Sequence, residues 1–470
     1  MQSDRPLAAV VLAAGEGTRM RSDLPKVLHP LCGRPMVGWV LDALGALELT
    51  RIVVVVGHGA EAVTKTAREA LDLGVPVEFV EQPVRRGTGD AVATGLSLFA
   101  DDIDADDDVL IVTGDTPLLT ADTFASLLAH HAASDAAATV LTAELADPTG
   151  YGRIVRDAKG GVDAIVEHRD ADAATRAITE INTGIFCFRR AFLAPALRRI
   201  QPNNSQGEYY LTDAVAVLRE AGHRVDAVVA ENAEDVLGVN DRAQIADAET
   251  VLRARINAEW MRTGVTMTDP AHTYLDATVT IEPDATLLPG CILEGRTVVS
   301  SGAVVGPDSR LSDTIVGPGA VVQQTVARDA EIGARATVGP FAFLRPGTNI
   351  GADAHIGSFV EIKNADIGEG AKIPHLSYVG DATVGPRANL GAGTITANWD
   401  GVEKHRTVIG ADVRTGVNTV LRAPVTIGDG AYTGAGAVVT RDVPPGALAK
   451  GVPAEIEEGW VAEHRERPNA

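Results

Sequence analysis

The spacing of apolar residues changes character twice along the chain. Through residues 1–240, short continuous apolar runs alternate with stretches of helical periodicity, a pattern typical of strands that are buried on both faces. The predicted strands are Ala8–Leu12, Ile52–Val56, Val77–Val80 and Val109–Val112. The predicted helices between them include Pro35–Ala46 and Thr88–Leu98. This alternation predicts βαβ units, a mostly parallel sheet and a ligand crevice beyond the carboxyl ends of the strands.

The segment 241–264 carries a helical pattern of its own. Its apolar residues fall three or four positions apart, which predicts one long connecting helix that ends at Gly264. These residues are Ile245, Ala248, Leu252, Ile256 and Trp260. We therefore divide the chain into a first domain over 1–240, a connecting helix over 241–264 and a second domain over 265–470.

Beyond residue 265 the apolar period becomes six. Aliphatic residues recur in pairs at that interval, and many are followed directly by glycine. The pairs are Val305 and Leu311, Val316 and Val322, Ile332 and Val338, Ile350 and Ile356, Ile367 and Ile373, and Val384 and Leu390. A sustained hexapeptide repeat predicts a parallel β-helix, a prism in which three hexads make one coil and the aliphatic side chains point inward. The insert 398–406 breaks the period, and we expect it to leave the prism as a loop.

Composition and charge narrow the class of protein. The 470 residues exceed one ordinary domain, and a hydrophobic content of 45% is enough for full cores. The formal charge of −22 argues against a nucleic-acid partner, because such proteins need basic faces. Three widely spaced cysteines without a CxxC motif predict a reducing compartment and no structural zinc. Because the sequence shows no signal-peptide pattern and no apolar run of spanning length, we expect a cytoplasmic protein with no membrane partner.

A glycine-rich loop follows the first predicted strand. In the string LAAGEGTRM, Gly15 and Gly17 let the backbone curve so that its N–H groups can face an anion. Arg19 and Lys26 follow within reach of a triphosphate. By itself such a loop is a tight turn about as often as a phosphate site, so both interpretations stay open at this point.

The loop continues into LPKVL, and the two strings together closely resemble the sugar-phosphate nucleotidyltransferases. Later segments narrow the resemblance. They are QPVRRGTGDA, TGDTPLL, DPTGYGRI, IVEHRDA, EINTGIF, GEYYLTD and GVNDR. On these motifs the chain is identified, over roughly residues 7–460, as a member of the family of bifunctional N-acetylglucosamine-1-phosphate uridyltransferases and glucosamine-1-phosphate acetyltransferases. The resemblance implies an α/β Rossmann-like nucleotidyltransferase domain followed by a left-handed parallel β-helix, assembled as a homotrimer with sites between neighbouring chains.

In the first domain the resemblance implies a site for UTP, a Mg²⁺ site and a sugar site. Arg19 and Lys26 are the implied catalytic residues, and the sugar 1-phosphate would attack UTP in line while pyrophosphate leaves. The other implied nucleotide contacts are Leu12, Ala13, Ala14, Gly15, Gln82, Gly87, Thr88, Thr113 and Gly114. Asp115 and Asn240 are the implied Mg²⁺ ligands. Without the resemblance, Asp115 would be read as a turn residue and Asn240 as a helix N-cap.

The implied contacts with the N-acetylglucosamine group are Gly152, Glu167 and Asn182. One residue near the phosphates departs from the family pattern, since Glu16 lies where a basic or neutral residue is usual. An exposed like charge costs little in water, so we expect Arg19, Lys26 and the metal to outweigh it.

In the second domain the resemblance implies acetyl transfer from acetyl-CoA to glucosamine 1-phosphate. His375, in the string AKIPHLSYVGDA, is the implied base, because the pKa of histidine lies near neutrality. Glu361 is expected to orient it. A lone histidine in a loop is otherwise usually inert. The implied sugar-phosphate contacts are Arg345, Lys363, Tyr378 and Asn389, and the implied acetyl-CoA contacts are Ala392, Asn398, Trp399, Val417 and Ala435.

Three residues of the second domain depart from the family pattern. Trp399 replaces a tyrosine, which keeps a flat ring but changes the hydrogen bond. Val452 stands where some members have an arginine, and Lys450 is the expected substitute for it. Val417 replaces a serine near the acetyl group, so we expect Val417→Ser to raise the acetyltransfer rate.

These implications predict a two-step enzyme that makes UDP-N-acetylglucosamine for cell-wall synthesis. The prism acetylates glucosamine 1-phosphate, and the first domain joins N-acetylglucosamine 1-phosphate to UMP. The alternative is a uridyltransferase whose β-helix is catalytically weak and serves to oligomerise or regulate. The presence of Lys363, His375 and Tyr378 favours the two-step enzyme.

Overall fold

A computed structural model of the chain describes residues 5–70, 74–99, 106–451 and 454–461. Val452, one of the departures from the family pattern, lies outside the described residues. Internal contacts divide the chain into two compact units, Met1–Leu252 and Arg253–Ala470. The division falls inside the long connecting helix rather than at either of its ends.

Nine of the described strands form one sheet in the first unit. Numbered β1 to β9 in chain order, they are Leu7–Ala13, Ile52–Val56, Val77–Glu81, Asp108–Thr113, Ala138–Glu144, Arg153–Arg156, Val162–Val166, Glu180–Arg189 and Val225–Val229. The sheet order is β9-β5-β8-β4-β1-β2-β3, and β6 pairs with β8 and β7. The run β4-β1-β2-β3 is parallel, whereas β8 is antiparallel to β4 and β5. The four strands predicted from the sequence are confirmed to within one residue at each end.

Helices cover this sheet and bury its central strands. Numbered α1 to α8 in chain order, the described helices are Met36–Gly45, Ala60–Ala70, Thr88–Leu96, Ala121–Ser134, Ala173–Arg176, Arg190–Leu197, Asp213–Glu220 and Arg242–Arg262. Every residue of β2 is buried, as expected of a parallel strand covered on both faces. In the part of the chain that is described, no helix is long and apolar enough to cross a membrane.

The connecting helix α8 begins at Arg242, one residue after the start of the predicted segment 241–264. Asp241 is its cap, because Asp241 Oδ1 accepts hydrogen bonds from the backbone N–H groups of Ala243 and Gln244, each at 3.0 Å. Asn240 instead donates its backbone N–H to Gln244 Oε1 at 2.7 Å. The reading of Asn240 as an N-cap is therefore wrong, and its side chain is available for another role.

The second unit is a left-handed parallel β-helix whose short strands stack into three faces. The first face contains Tyr274–Leu275, Ile292–Glu294, Arg310–Ser312, Val326–Arg328, Phe343–Leu344, Ile395–Ala397, Val420–Arg422 and Val438–Val439. The second contains Thr280–Ile281, Val298–Val299, Ile315–Val316, Ala330–Ile332, Thr348–Ile350, Thr407–Ile409 and Val425–Ile427. The third contains Thr266–Met267, Thr286–Leu287, Val304–Val305, Val321–Val322, Thr337–Val338, His355–Ser358, Lys372–His375, Tyr432–Thr433 and Leu448–Ala449. Two longer strands, Glu361–Ile367 and Tyr378–Val384, turn a corner and serve the first and second faces.

The register confirms the hexapeptide prediction. Tyr274 pairs with Ile292, eighteen residues later, so three hexads make one coil. Every aliphatic pair predicted between Val305 and Leu390 points inward, with no member more than 3% exposed. Each such burial stabilises the prism by about 1.5–3 kcal/mol. The insert 398–406 lies outside the coil as predicted, because Ala382 pairs with Thr407, twenty-five residues later.

Glycine follows many of the inward aliphatic residues because successive coils touch there. A Cβ on Gly351, which follows Ile350, would lie 2.8 Å from the backbone nitrogen of Glu369 in the next coil. A Cβ on Gly333 would lie 2.7 Å from the backbone of Ala352. The isoleucine–glycine pairs of the sequence therefore mark close backbone stacking at a prism corner.

Candidate active sites

The predicted phosphate loop and the segment after β4 meet at the carboxyl edge of the sheet in the first unit. Gly114 donates its backbone N–H to the carbonyl of Leu12 at 2.9 Å. The run from Leu12 to Gly15 therefore lies beside the run from Thr113 to Asp115. Ala13 and Ala14 are buried, whereas Gly15 is exposed and nothing lies within 4 Å of the position its Cβ would take. This leaves open space above the backbone where a ligand could approach.

Gly17 brings Lys26 into this loop. Gly17 has φ of +64°, and a Cβ at this position would lie 2.5 Å from the Cβ of Lys26. Any larger residue would push Lys26 away or strain the backbone. The second glycine of the loop is thus required for the position of the lysine.

Four of the predicted residues converge on one point at this edge. Lys26 Nζ forms an ion pair with Asp115 Oδ2 and donates to Asn240 Oδ1 at 2.8 Å. Arg19 Nη2 donates to the same Asn240 oxygen at 2.8 Å. A cationic group thus lies between the two predicted metal ligands, and their oxygens face one position that a cation can occupy. The side chains of Lys26 and Asp115 are only 12% and 24% exposed, so this cluster is partly shielded from solvent.

The predicted nucleotide contacts on the next strands form a second group. Gln82, which follows β3, is buried and donates from Nε2 to Asp90 Oδ2 at 2.8 Å and to the Gly87 carbonyl at 3.3 Å. Thr88 begins α3, and its hydroxyl accepts the backbone N–H of Leu211 at 2.9 Å. These contacts fix the loop between β3 and α3 beside the phosphate loop.

The predicted sugar contacts lie close together as well. Asn182 donates its backbone N–H to the carbonyl of Gly152 at 2.9 Å, and a Cβ on Gly152 would lie 3.4 Å from the carboxylate of Glu167. Burial raises the pKa of Glu167, and the charges of Asp170 and Asp213 raise it further, against a hydrogen bond from Thr212. The three residues are therefore neighbours, and the carboxylate and amide side chains of Glu167 and Asn182 can hydrogen-bond to hydroxyl and amide groups.

The sequence did not predict two features of the first unit, an ion pair of Glu16 and the burial of Tyr151. Glu16 Oε2 accepts a hydrogen bond from Arg85 Nη1 at 2.8 Å, so the unexpected acid of the phosphate loop has a local cation. Tyr151, next to Gly152, has its pKa raised by burial and by the charge of Asp115. Tyr151 directly precedes the predicted sugar contact Gly152, and this position in the sequence could have identified it as a candidate site residue.

In the second unit, the predicted base and most predicted acetyl-CoA contacts share one corner of the prism. His375, Ala392, Val417 and Ala435 occupy equivalent positions in four successive coils, and we call them the corner ladder. Each of the first three offers its carbonyl to the next coil, at 3.2 Å to Gly393, 2.7 Å to Asn418 and 2.8 Å to Gly436. His375, Val417 and Ala435 are exposed and Ala392 is half-buried. Lys450 continues past the ladder, with its Cβ 3.5 Å from where a Cβ on Gly434 would lie.

Beside this corner, three of the predicted sugar-phosphate contacts lie on the first face. The backbone N–H of Arg345 donates to the carbonyl of Ile362 at 2.8 Å, which places Arg345 in the coil next to that of Lys363. Lys363 is in register with Gly380, where a Cβ would collide with the hydroxyl of Tyr378. The absence of a side chain at Gly380 therefore leaves room for the hydroxyl of Tyr378.

Two expectations for this site need qualification. Glu361 Oε1 accepts a hydrogen bond from Arg345 Nη1 at 2.9 Å, and none joins it to His375 in the described part of the chain. The expectation that Glu361 orients His375 is therefore not met in the single chain. Asn389 lies on the third face, bridged to Lys372 and Arg414, and is not brought together with Lys363 and Tyr378.

The insert 398–406 brings further groups to the first face. Asn398 is buried and donates from Nδ2 to Asp381 Oδ2 and, at 3.3 Å, to the hydroxyl of Tyr378. Trp399 is 56% exposed. Asp381 also accepts a hydrogen bond from Lys363 Nζ at 3.2 Å, and the charged group of Lys363 lowers the pKa of the exposed Lys404. Asp381 and Lys404 were missed, although an insert within a strict repeat is itself a signal in the sequence.

Comparison with known proteins relates the whole chain to one group. Residues 9–181 match the family model of the MobA-like NTP transferase domain, and residues 406–441 match that of the bacterial transferase hexapeptide. A "Bifunctional protein GlmU" of Streptomyces avermitilis is 53% identical, with 100% of this chain and 96% of the relative covered. The protein of the same name from Thermobifida fusca is 51% identical at 100% and 96% coverage, and that of Corynebacterium efficiens is 49% identical at 98% and 95%.

Proposed function

The chain belongs to the family of bifunctional GlmU proteins, and we infer from this membership that its two units carry out two consecutive steps of UDP-N-acetylglucosamine synthesis. It is a bifunctional enzyme, an acetyltransferase and a uridyltransferase. The observation that carries the assignment of residues is that the candidates for the two reactions separate into two clusters, one in each unit. The cluster around Lys26 and Asp115 suits phosphoryl chemistry, and the corner ladder with Lys363 suits acyl transfer.

In the uridylyl step we place UTP on the phosphate loop. An oxygen of N-acetylglucosamine 1-phosphate attacks the α-phosphorus in line, the new P–O bond forms, and the bond to pyrophosphate breaks. No covalent intermediate with the protein is needed, because positioning and neutralisation of charge supply the acceleration. Arg19 and Lys26 are the two cations aimed at this position, and their contacts with Asn240 support that role.

The residues at the edge of this site also fit Mg²⁺. Asp115 and Asn240 present a carboxylate and an amide oxygen to the same ammonium group, and these are the ligand types that Mg²⁺ accepts along with water and phosphate. When bound, Mg²⁺ neutralises the developing charge on the phosphates. Lys26 then has to move from the two oxygens toward the phosphate groups.

In the acetyl step we assign His375 as the general base. It accepts a proton from the ammonium of glucosamine 1-phosphate, the free amine attacks the thioester carbonyl, and the thiol of coenzyme A leaves. Arg345 and Lys363 are placed to bind the phosphate of the sugar. The exposed corner ladder that leads away from His375 supports a path for acetyl-CoA along the prism edge.

We propose that the protein acts as a homotrimer. Three apolar side chains stack at the corner that includes His375, with Phe341, Phe359 and Leu376 between 53% and 64% exposed. The rings of Phe341 and Phe359 are 5.3 Å apart. Covering these residues with a neighbouring prism would also bring the third face of one copy, with Asn389, toward the first face of another.

The compartment we propose is the cytosol. Cys187 and Cys291 are buried and form no disulfide bond within the described part of the chain, which supports a reducing environment.

A coupled assay tests the two-step function. The full-length protein is supplied with glucosamine 1-phosphate, acetyl-CoA, UTP and Mg²⁺, and each component is omitted in turn. We expect UDP-N-acetylglucosamine only from the complete mixture, release of free coenzyme A without UTP, and restored product when N-acetylglucosamine 1-phosphate replaces the first two substrates. Product from N-acetylglucosamine 1-phosphate but no release of coenzyme A would support the alternative of a uridyltransferase with an inactive prism.

A further inference from the structure

Arg153 is a buried arginine beside the predicted sugar contacts of the first unit. It begins β6, directly after Gly152, and it is only 1% exposed. Its guanidinium donates from Nη1 to the carbonyl of Tyr151, and Nη2 lies 3.4 Å from both the carbonyl of Arg176 and the ring nitrogen Nδ1 of His168. Burying a charged group is costly, and none of these three partners is a carboxylate. The contacts of Arg153 therefore serve to fix a backbone and a ring in place.

The partners of Arg153 lie next to two of the predicted sugar contacts. Tyr151 directly precedes Gly152, and His168 directly follows Glu167. The guanidinium contacts both of these neighbours with adjacent nitrogens. One buried side chain therefore connects the two segments that carry Gly152 and Glu167.

The bond from Arg153 to Tyr151 also sets the direction of one peptide group. The peptide between Tyr151 and Gly152 is trans, so its C=O and its N–H point in opposite directions. Because the carbonyl of Tyr151 is turned toward the guanidinium, the N–H of Gly152 is turned away from it. The carbonyl of Gly152 is held separately, since it accepts the backbone N–H of Asn182 at 2.9 Å. The backbone is thus fixed on both sides of Gly152.

The N–H of Gly152 is a buried donor that lacks an acceptor. Gly152 is buried, and its N–H donates to no oxygen in the part of the chain that the structure describes. Nearly all buried backbone N–H groups in folded proteins are paired, so this one indicates a position where a bound molecule supplies the acceptor. Its neighbours Glu167 and Asn182 carry side chains that bond to hydroxyl and amide groups.

We propose that Arg153 is a positioning residue of the uridylyl site. By holding the carbonyl of Tyr151, it directs the N–H of Gly152 toward N-acetylglucosamine 1-phosphate, where this N–H donates to one oxygen of the sugar. The proposal rests on the proposed uridylyl step and deepens it. Arg153 acts through one peptide group and does not touch the substrate, so its loss should weaken the sugar contact and leave the contacts of UTP in place.

The first test compares Arg153→Met with the full-length wild-type protein in uridylyl transfer. We expect the KM for N-acetylglucosamine 1-phosphate to rise about threefold to tenfold, the size of one hydrogen bond, with the KM for UTP within twofold. Arg153→Lys, which can still donate to the carbonyl of Tyr151, should show a smaller rise.

Arg156→Met is the matched control for this test. Arg156 lies on the same strand, but it donates from Nε to Glu180 Oε2 at 2.7 Å and not to the segments of the sugar contacts. Equal changes in both KM values, or an equal rise in the control, would overturn the proposal. If Arg153→Met does not fold, Arg153→Lys is compared with Arg156→Lys by the same criteria.

Substrate analogues test whether Arg153 acts through one oxygen of the sugar. The set contains analogues in which a single ring hydroxyl is replaced by hydrogen, and glucosamine 1-phosphate, which lacks the acetyl group. One of these deletions should lower kcat/KM in the wild type and cost little further in Arg153→Met, because the bond to Gly152 is already lost there. If every analogue lost the same factor in both proteins, Arg153 would not act through the N–H of Gly152, and the proposal would be wrong.

Hydrogen exchange separates failure of this proposal from failure of the proposed function. Without substrates, the backbone amides of the segment 147–152 should exchange faster in Arg153→Met than in the wild type or in Arg156→Met. A wild type that shows this difference but no uridylyl transfer would refute the proposed function alone. Unchanged exchange in Arg153→Met would refute the positioning role alone.

Discussion

The two candidate sites are built in different ways. In the first unit, Arg19 and Asn240 share a hydrogen bond although 221 positions separate them in the chain. In the second unit, the corner ladder places one residue in each successive coil from His375 to Ala435. The first site depends on how a sheet connects distant loops, and the second depends on the repetition of one local rule. Long-range closure and short-range periodicity can therefore both produce a site in the same chain.

The two sites also differ in how complete they are within one chain. The Lys26–Asp115 pair is partly buried, and its partners all come from the same unit. The corner ladder is largely exposed, and Asn389 lies on the third face, away from the strand that carries Lys363. A sheet edge can enclose a ligand by itself, whereas a prism has only flat faces and corners and needs a second surface to form a cleft.

The largest expected effect comes from removing a charged ligand from the enclosed site. Asp115→Ala leaves Lys26 without its carboxylate and removes an implied Mg²⁺ ligand. We expect uridylyl transfer to fall by at least about a hundredfold and acetyl transfer to change less than about threefold. His375→Ala should have the opposite selectivity, with a large loss of acetyl transfer and little change in uridylyl transfer. Both activities are measured on the same purified samples, and parallel loss of the two in a folded variant would contradict the separation of sites.

The contrast also explains how much could be predicted from the sequence. The period of six predicted the prism, its inward residues and the looped-out insert, because each coil contacts only its neighbours. The convergence of Lys26 with Asp115 and Asn240 could not be worked out from spacing, since it depends on the connection of strands far apart. It was reached only through a family resemblance. Neither the period of six nor the family resemblance identified Lys404, because it lies in the segment where the repeat is interrupted.

The second prediction tests the periodic site through stability. Gly351→Ala would place a Cβ 2.8 Å from the backbone of the next coil, where no flexible side chain can yield. We expect the free energy of unfolding of the prism to fall by about 1–3 kcal/mol. Gly434→Ala is the control, because its Cβ would meet only ordinary contacts at 3.5 Å. Urea denaturation followed by circular dichroism gives both values, and an equal loss in the two variants would contradict the role of close coil stacking.

The third prediction concerns Glu167, a half-buried acid of the first unit. Burial raises the pKa of Glu167 above that of the unfolded chain. Below about pH 4 the group is protonated in both states and has no effect. Because the unfolded chain releases this proton at a lower pH than the folded protein does, stability falls as the pH rises from the unfolded pKa to the folded pKa and stays low above it. Glu167→Gln should therefore raise the melting temperature at pH 7 by about 2–4 °C, and the gain should vanish near pH 4.

Calorimetry at several pH values measures this gain, with the exposed Glu48→Gln as the control. The same variant should have a higher KM for N-acetylglucosamine 1-phosphate, because Glu167 lies at the predicted sugar contact beside Gly152. A gain in stability that is equal at pH 4 and pH 7 would show that burial of charge is not the cause.

The smallest expected effect concerns Val417, the departure from the family pattern on the corner ladder. Val417 lies two coils from His375, about 10 Å at the spacing of neighbouring strands. A hydroxyl at that distance cannot touch both the base and the attacked carbonyl, so the geometry moves the expected effect of Val417→Ser from the rate to the binding of acetyl-CoA. One new hydrogen bond corresponds to a KM for acetyl-CoA about twofold to tenfold lower, with kcat within twofold.

Initial rates over a range of acetyl-CoA concentrations separate these two effects. Val438→Ser is the control, since Val438 is 64% exposed on the first face and is not a member of the corner ladder. If kcat rose while the KM stayed constant, the reacting acetyl group would have to lie beside Val417, and the base would have to reach it from another copy of the chain. The balance between the two parameters thus decides whether one corner of one prism holds the complete path from coenzyme to base.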